Sequence, residues 1–265
     1  MVYITPWGGL CNMIRTIVSA YNISKITGLE FSIFWGYTAK DANPSHAAEI
    51  SLRYDEIFEN EILPVVYELP DNIVNYVDEV PLHSYNPLAI DRLDMGKLVD
   101  MSKTAEHIQI TSWGFSYDST TSDDRYVESG RLLKFRQEYL DIVDRTISSN
   151  VIGVHIRRSD FSSCNVVKPL EHFITAMTDE IMVDDTVKFF VATDDKHEEQ
   201  TLINIFGADR IITFPKDTYS RNDPEFIKAG IIDLLCLSRC TKLYGTRGST
   251  FSYLASKLQN IPIIE

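Results

Sequence analysis

The chain has 265 residues, of which 44% are hydrophobic and 24% charged, and its formal net charge is −13 at pH 7. This composition is typical of a globular protein with one large domain or two small ones. The acidic balance argues against general binding to nucleic acid or to anionic membranes. The sequence shows no apolar run of membrane-spanning length and no signal-peptide layout at the N-terminus.

The cysteines and histidines argue against a disulfide framework and a zinc site. Of the four cysteines, only Cys236 and Cys240 are close in sequence, and no CxxC pair occurs. The six histidines show neither HExxH nor any paired ligand spacing. We therefore expect a reduced, cytoplasmic protein without a metal.

The first half alternates strand-like and helix-like segments. A helix is predicted from Cys11 to about Thr27, ended by Gly28, and a second one over about Gly130–Ser148. The predicted strands lie near Val2–Thr5, Glu30–Trp35, Leu63–Glu68, Ile73–Val77 and His107–Trp113.

The second half alternates more regularly. Its predicted strands are Val151–Ile156, Val187–Ala192, Arg210–Phe214, Lys242–Gly245 and Ile261–Ile264. Helices are predicted to open at Pro169, to end at Gly207, to begin at Asp223-Pro224, and to begin at Ser249 or Thr250. Such alternation predicts a parallel sheet covered on both faces, with ligands bound beyond the carboxyl ends of its strands.

Polar side chains gather at three of these strand ends. They are His155, Arg157, Arg158 and Asp160 after the first strand, Thr193, Asp194 and Asp195 after the second, and Thr246 to Thr250 after the fourth. A guanidinium fork matches phosphate oxygens, and a helix start offers unpaired N–H groups to an anion. Together they predict a clamp for a diphosphate. The alternative for each residue is structural: an ion pair or a helix cap.

Two further features are candidates for ligand contact. Gly8 and Gly9 precede a helix whose first turn contains Asn12, so the backbone there would allow a ligand to approach closely. Asp233 lies within an apolar helical segment, where a buried carboxylate needs a partner. The donors of a guanine base would supply one, and an exposed helical stripe is the alternative.

Four segments, taken together, resemble a known family. His155-Ile-Arg-Arg-Ser-Asp160 resembles the HxRRxD signature of the α1,2-, α1,6- and protein O-fucosyltransferase superfamily. Phe189–Asp195 resembles its second motif, Asp233–Ser252 its third, and Gly8–Asn12 its N-terminal GGLGN loop. The four motifs occur in the family's order and span most of the chain, with the clearest likeness over residues 150–256.

The resemblance implies an α/β fold of the GT-B type, with two Rossmann-like domains whose parallel sheets face each other across a cleft. We place the acceptor-side domain at residues 1–148 and the nucleotide-sugar domain at residues 149–265. The implied function is that of an inverting, metal-independent glycosyltransferase without a cofactor. It would transfer fucose from GDP-fucose to a hydroxyl of an oligosaccharide or glycoconjugate. Another GDP-sugar as donor, or a non-catalytic GDP- or glycan-binding relative, stays open.

The resemblance also implies roles for residues. Arg157 would stabilise the GDP leaving group. The other donor-binding residues would be His155 and Asp233 at the guanine end, Ser249 and Thr250 at the phosphates, Arg158, Thr193 and Asp194 beside them, and Gly9 and Asn12 from the other domain. In α1,6-fucosyltransferases a glutamate follows HxRRxD, whereas Phe161–Asn165 contains no carboxylate here. The general base is therefore Asp160, a residue of the first domain, or absent in a dissociative reaction.

Overall fold

The computed structural model of the protein describes residues 1–36, 51–76, 92–112, 131–158, 168–219 and 223–265. It divides into two α/β units, Met1–Lys134 and Phe135–Glu265. Each unit is built on a five-stranded sheet whose strands pair in parallel. The predicted fold class, two α/β regions with parallel sheets, is confirmed.

The first unit has the strand order β3-β2-β1-β5-β4. Its strands are β1 (Val2–Pro6), β2 (Phe31–Phe34), β3 (Val65–Val66), β4 (Ile73–Asn75) and β5 (His107–Ser112), and its helices are α1 (Leu10–Thr27) and α2 (Met95–Ser102). Helix α1 buries Ile14, Ile17 and Val18. It ends as predicted at Gly28, which has φ +70° and donates its N–H to the Ser24 carbonyl. A short 3₁₀ helix covers Tyr54–Glu56.

The second unit has the strand order β10-β9-β6-β7-β8. Its strands are β6 (Val151–Ile156), β7 (Lys188–Thr193), β8 (Ile211–Ile212), β9 (Leu243–Tyr244) and β10 (Ile263–Ile264). Its helices are α3 (Gln137–Thr146), α4 (Leu170–Val183), α5 (Lys196–Phe206), α6 (Pro224–Ser238) and α7 (Thr250–Leu258). The chain runs outward from β6 to β8 and then returns to β9 on the other side of β6. In such a sheet, ligands bind where the order reverses, at the carboxyl ends of β6 and β9.

The core of the second unit explains why β6 is central. Val154 and Ile156 are completely buried and belong to one cluster with Phe189 from β7 and Met177 from α4. Gly153 permits a close approach of helix α6, because a Cβ there would lie 3.0 Å from a Leu237 methyl. With both faces covered, β6 presents polar groups only where it ends.

One helical prediction was wrong at its start, and one helix was not predicted. The helix expected over about Gly130–Ser148 begins only at Gln137. Residues before it bond to Asn60 instead: its side chain donates to the Leu132 carbonyl at 2.8 Å and accepts the Lys134 N–H at 2.7 Å. Helix α2 was not predicted, because it is only eight residues long and buries Leu98 alone.

Helix α3 also bears on the division of the chain. It packs against helix α6 and lies wholly within the second unit, Phe135–Glu265. The domain boundary predicted at residues 148 and 149 falls after this helix. Among the residues that the structure describes, no helix is long and apolar enough to cross a membrane.

Candidate active site

The carboxyl ends of β6 and β9 are joined by the hydroxyl of Thr246. The backbone pairing of the two strands ends at Val154 and Tyr244. Beyond it, Thr246 Oγ1 donates to the His155 carbonyl at 2.9 Å and accepts the Arg157 N–H at 3.0 Å. One buried hydroxyl therefore continues the pairing past the end of the short strand β9 and fixes the backbone from which the Arg157 side chain departs.

The side chain of Arg157 is oriented by Asp194, the residue that follows β7. Arg157 Nη1 lies 3.0 Å from Asp194 Oδ2. The other carboxylate oxygen, Oδ1, accepts the Arg158 N–H at 2.7 Å. Asp194 is nearly buried at 7% side-chain exposure, whereas Arg157 keeps 23% of its side chain exposed. The guanidinium is thus held from one side and remains accessible from another.

Arg158 has different contacts. Its Nε donates to Glu198 Oε1 at 2.7 Å, and its Nη1 donates to the Lys168 carbonyl at 2.9 Å. It therefore links β6 to helix α5 and to the segment before α4. Its predicted contact with the donor stays a prediction. The bond to Glu198 is an ion pair, which is the structural alternative for Arg158.

The residues after β7 mainly organise the start of helix α5. Asp195 accepts the N–H groups of His197 and Glu198 and so caps this helix. The hydroxyl of Thr193, a buried residue, accepts the Asp195 N–H at 3.1 Å. The capping alternative thus holds for Asp195, while Asp194 is directed to the arginines.

His155, near the end of β6, is buried and is bonded to Ser252, a residue that the sequence did not single out. Its Nδ1 lies 2.6 Å from Ser252 Oγ, and its ring stacks on Phe251 with centroids 4.8 Å apart. Burial, reinforced by the positive charges of Arg157 and Lys216, lowers the pKa of His155 to about 3. His155 is therefore neutral at physiological pH.

Helix α7 begins beside the same strand ends. Ser249 is its N-cap residue, is buried, and makes no side-chain capping bond within the described residues. Thr250 is the first helical residue. The first turn of a helix presents unsatisfied N–H groups and the positive end of its dipole. This start is therefore suited to hold an anion, and the phosphate contacts predicted for Ser249 and Thr250 stay a prediction.

Asp233 lies on helix α6 and is 4% exposed, so the alternative that it lies on an exposed stripe is wrong. Its Oδ2 is 2.9 Å from Lys216 Nζ, and the Lys216 side chain is only 2% exposed. Burial raises the pKa of Asp233 to about 6, although Lys216 opposes the rise. The second oxygen, Oδ1, has no hydrogen bond within the described part of the chain.

Sequence reasoning missed Lys216 and Glu199, which complete the environment of Asp233. Glu199 Oε2 lies 3.9 Å from Lys216 Nζ. The available signal was indirect, since a buried carboxylate requires a cationic or donor partner somewhere in the fold. Nothing in the sequence around Lys216 indicates that it is this partner.

The Gly-Gly loop lies in the first unit and is described by itself. Gly8 has φ +87°, a conformation that favours glycine, and Gly9 is the N-cap of α1. A Cβ on Gly8 would lie 3.2 Å from the Asn12 amide nitrogen. The Asn12 side-chain oxygen has no hydrogen bond within the described residues. Asp160 and the segment Phe161–Asn165 lie outside the described residues, so the predictions for them stay untested.

Comparisons with known proteins identify the fold. No family model matches the sequence, and no curated protein matches it. Among solved structures, the α-1,6-fucosyltransferase NodZ from Bradyrhizobium aligns with a TM-score of 0.65 and 19% identity, over 100% of this chain and 94% of that one. POFUT1 in complex with GDP-fucose aligns with a TM-score of 0.62 and 9% identity, over 99% and 97%. The chain has the fold of the GT-B fucosyltransferases.

The resemblance seen in the sequence is thus confirmed at the level of the fold. Within this fucosyltransferase fold, the three later motifs all lie in the second unit. At the carboxyl edge of its sheet, His155 and Arg157 of the first of these motifs contact Asp194 of the second and Thr246 and Ser252 of the third. In the described residues, no group of three or more His, Cys, Asp or Glu is placed to hold a metal ion.

Proposed function

We propose that the protein is an inverting glycosyltransferase that transfers fucose from GDP-fucose to a hydroxyl of a glycan acceptor, without a metal. Structures with this fold include NodZ soaked with GDP-fucose and POFUT1 in complex with GDP. The observation on which the proposal rests is Arg157, whose guanidinium is fixed at the reversal point of the sheet yet partly exposed.

The proposed chemistry explains why a fixed arginine is needed there. The bond between the sugar's anomeric carbon and the β-phosphate oxygen breaks, and both bonding electrons stay with GDP. Negative charge therefore grows on the β-phosphate in the transition state, and a guanidinium already aimed at it stabilises that state more than the ground state. Loss of one preorganised contact of this kind costs about 10²–10³ in rate.

The remaining donor contacts are proposed from the resemblance. In the proposal, the first turn of α7, with Ser249 and Thr250, binds the phosphates. His155 and Asp233 contact the guanine end, where Asp233 Oδ1 still lacks a donor within the described residues. The resemblance adds Gly9 and Asn12 as further proposed donor contacts.

The acceptor hydroxyl attacks the anomeric carbon from the face opposite GDP, which inverts its configuration, and the hydroxyl proton passes to a base or to solvent. Asp160 is the proposed base. A dissociative reaction with little base assistance is the alternative. We also expect a cytoplasmic protein, in keeping with the free thiols of Cys236 and Cys240.

Thermal unfolding with nucleotides tests the donor class. Saturating GDP should raise the Tm by several degrees and UDP much less, since a ligand at 100 times its Kd adds about 2.7 kcal/mol. Arg157→Ala should greatly reduce the GDP effect. Arg239→Ala removes a half-exposed arginine of the same unit and should leave it intact. If GDP does not stabilise the protein, the donor assignment is wrong.

A donor panel then separates the alternatives. GDP-fucose, GDP-mannose and UDP-sugars are each incubated with a glycan library, and release of the nucleotide diphosphate is measured. Turnover of GDP-fucose supports the proposal. Turnover of GDP-mannose alone corrects the sugar, and tight GDP binding without any turnover identifies a non-catalytic relative.

A further inference from the structure

Ser252 lies in the first turns of helix α7 and is completely buried. Its Oγ has two hydrogen-bonding contacts in the described structure. The Thr246 N–H donates to it at 3.1 Å, and His155 Nδ1 lies 2.6 Å away. The His155 contact is the shorter of the two and joins residues 97 positions apart.

The proton positions follow from what each group can do. A backbone N–H only donates, so Ser252 Oγ is the acceptor toward Thr246. The serine proton then needs an acceptor, and within the described residues Nδ1 of His155 is the one in reach. If Nδ1 carried the proton instead, a buried hydroxyl hydrogen would be left without a partner, which costs free energy.

We propose that Ser252 is a positioning residue that fixes His155 as its Nε2–H tautomer, so that His155 donates one hydrogen bond to an acceptor oxygen of the bound nucleotide and cannot be the general base. The nucleotide part of this statement rests on the proposed function. The tautomer part rests on the hydrogen bonds alone.

Three further features hold the imidazole ring of His155 in place or keep it neutral. The stack on Phe251 sets the plane of the imidazole. The Thr246 hydroxyl holds the His155 carbonyl. Burial opposes a second proton on the ring, and the charges of Arg157 and Lys216 add to this effect. Within the described part of the chain His155 Nε2 makes no hydrogen bond, so its N–H is available to a ligand.

The close approach of α7 to Gly245, the residue that follows β9, makes this contact possible. A Cβ on Gly245 would lie only 2.9 Å from the Ser252 Cβ. The glycine therefore lets the helix approach the strand until the serine reaches the histidine. Position 245 therefore requires a glycine, and this requirement is separate from the roles of the N-cap residue Ser249 and the first helical residue Thr250.

Nitrogen NMR of protein labelled with ¹⁵N-histidine tests the tautomer directly. The His155 signals are identified by their loss in His155→Gln. We expect Nδ1 to show the shift of an unprotonated nitrogen and Nε2 that of a protonated one from pH 5 to pH 8. In Ser252→Ala both nitrogens should move toward averaged values. Ser256→Ala, which removes a buried serine one turn later that bonds to the Tyr253 carbonyl, should leave them unchanged.

Adding GDP tests the second part. The Nε2–H signal should shift on binding while Nδ1 stays unprotonated, and Ser252→Ala should bind GDP about fivefold more weakly, the effect of one neutral hydrogen bond. A protonated Nδ1 in the wild-type protein overturns the tautomer assignment. GDP binding without a change at Nε2 overturns the ligand contact. Absence of GDP binding overturns the proposed function and leaves the tautomer assignment standing.

Discussion

The guanidinium of Arg157 lies 3.0 Å from the carboxylate of Asp194, whose other oxygen accepts the backbone N–H of Arg158 at 2.7 Å. One carboxylate thus orients the first arginine and anchors the backbone of the second. Arg158 extends away to Glu198 on helix α5. Two adjacent arginines of the same motif therefore differ in their contacts: Arg157 pairs with Asp194 and keeps part of its side chain exposed, whereas Arg158 links the sheet to a helix.

This separation predicts opposite effects for two alanine variants. Arg157→Ala should lower kcat by about 10²–10³, because it removes charge from the leaving group. Arg158→Ala should destabilise the protein by about 3 kcal/mol, since it leaves the mostly buried Glu198 without its cation. Steady-state kinetics and urea unfolding of both variants measure this. Equal losses of activity and stability in both variants would contradict it.

Asp194 is expected to act through Arg157. Asp194→Asn can still accept the Arg158 N–H but loses the charge that orients the guanidinium. We expect kcat to fall by about tenfold with a small change in stability. Asp195→Asn is the control: Asp195 caps α5, and asparagine is an equally good capping residue, so both kcat and Tm should be preserved. An unchanged kcat in Asp194→Asn would show that Arg157 needs no orienting carboxylate.

Lys216 is expected to contribute to stability in a pH-dependent way. The folded-state pKa of Asp233, about 6, lies above its ordinary value of 3.8. The stability that this group contributes is therefore fully present below about pH 4 and is lost as the pH rises through 6. Lys216→Met removes the charge that lowers this pKa and should raise it further, so the destabilisation should be about 3–5 kcal/mol at pH 8 and smaller at pH 5.5.

Urea unfolding at both pH values measures this difference. The double variant Lys216→Met, Asp233→Asn removes the buried charge as well and should recover part of the stability at pH 8. A destabilisation that is the same at pH 5.5 and pH 8 would mean that Lys216 stabilises the fold through packing rather than through Asp233.

Two glycines give a matched test of the packing at the site. Gly245→Ala would place a Cβ 2.9 Å from the Ser252 Cβ and should destabilise the protein by about 1–3 kcal/mol while weakening GDP binding. Gly230→Ala lies within helix α6, where a Cβ meets nothing within 4 Å, and should stabilise it by up to about 1 kcal/mol. Thermal unfolding with and without GDP compares them. Tolerance of Gly245→Ala would refute the close approach of α7.

Much of the fold could be predicted because its signals are local. Gly28 ends α1, and Asp223 with Pro224 begins α6. Strand β6 coincides with the apolar run Val151–Ile156. Each depends on neighbouring residues whose backbone preferences hold in any context. The start of α3 was missed for the converse reason, since Asn60, far away in the sequence, binds the segment that precedes it.

The sequence by itself determined which strand ends carry the polar groups and that two adjacent arginines stand among them. Only the tertiary structure decided that Arg157 pairs with Asp194 and Arg158 with Glu198. It also decided that Asp233 is paired with Lys216 and that Ser252 bonds to His155. The physical reason is separation along the chain. Burial forces a polar group to find a partner, but only the fold determines which distant element supplies it.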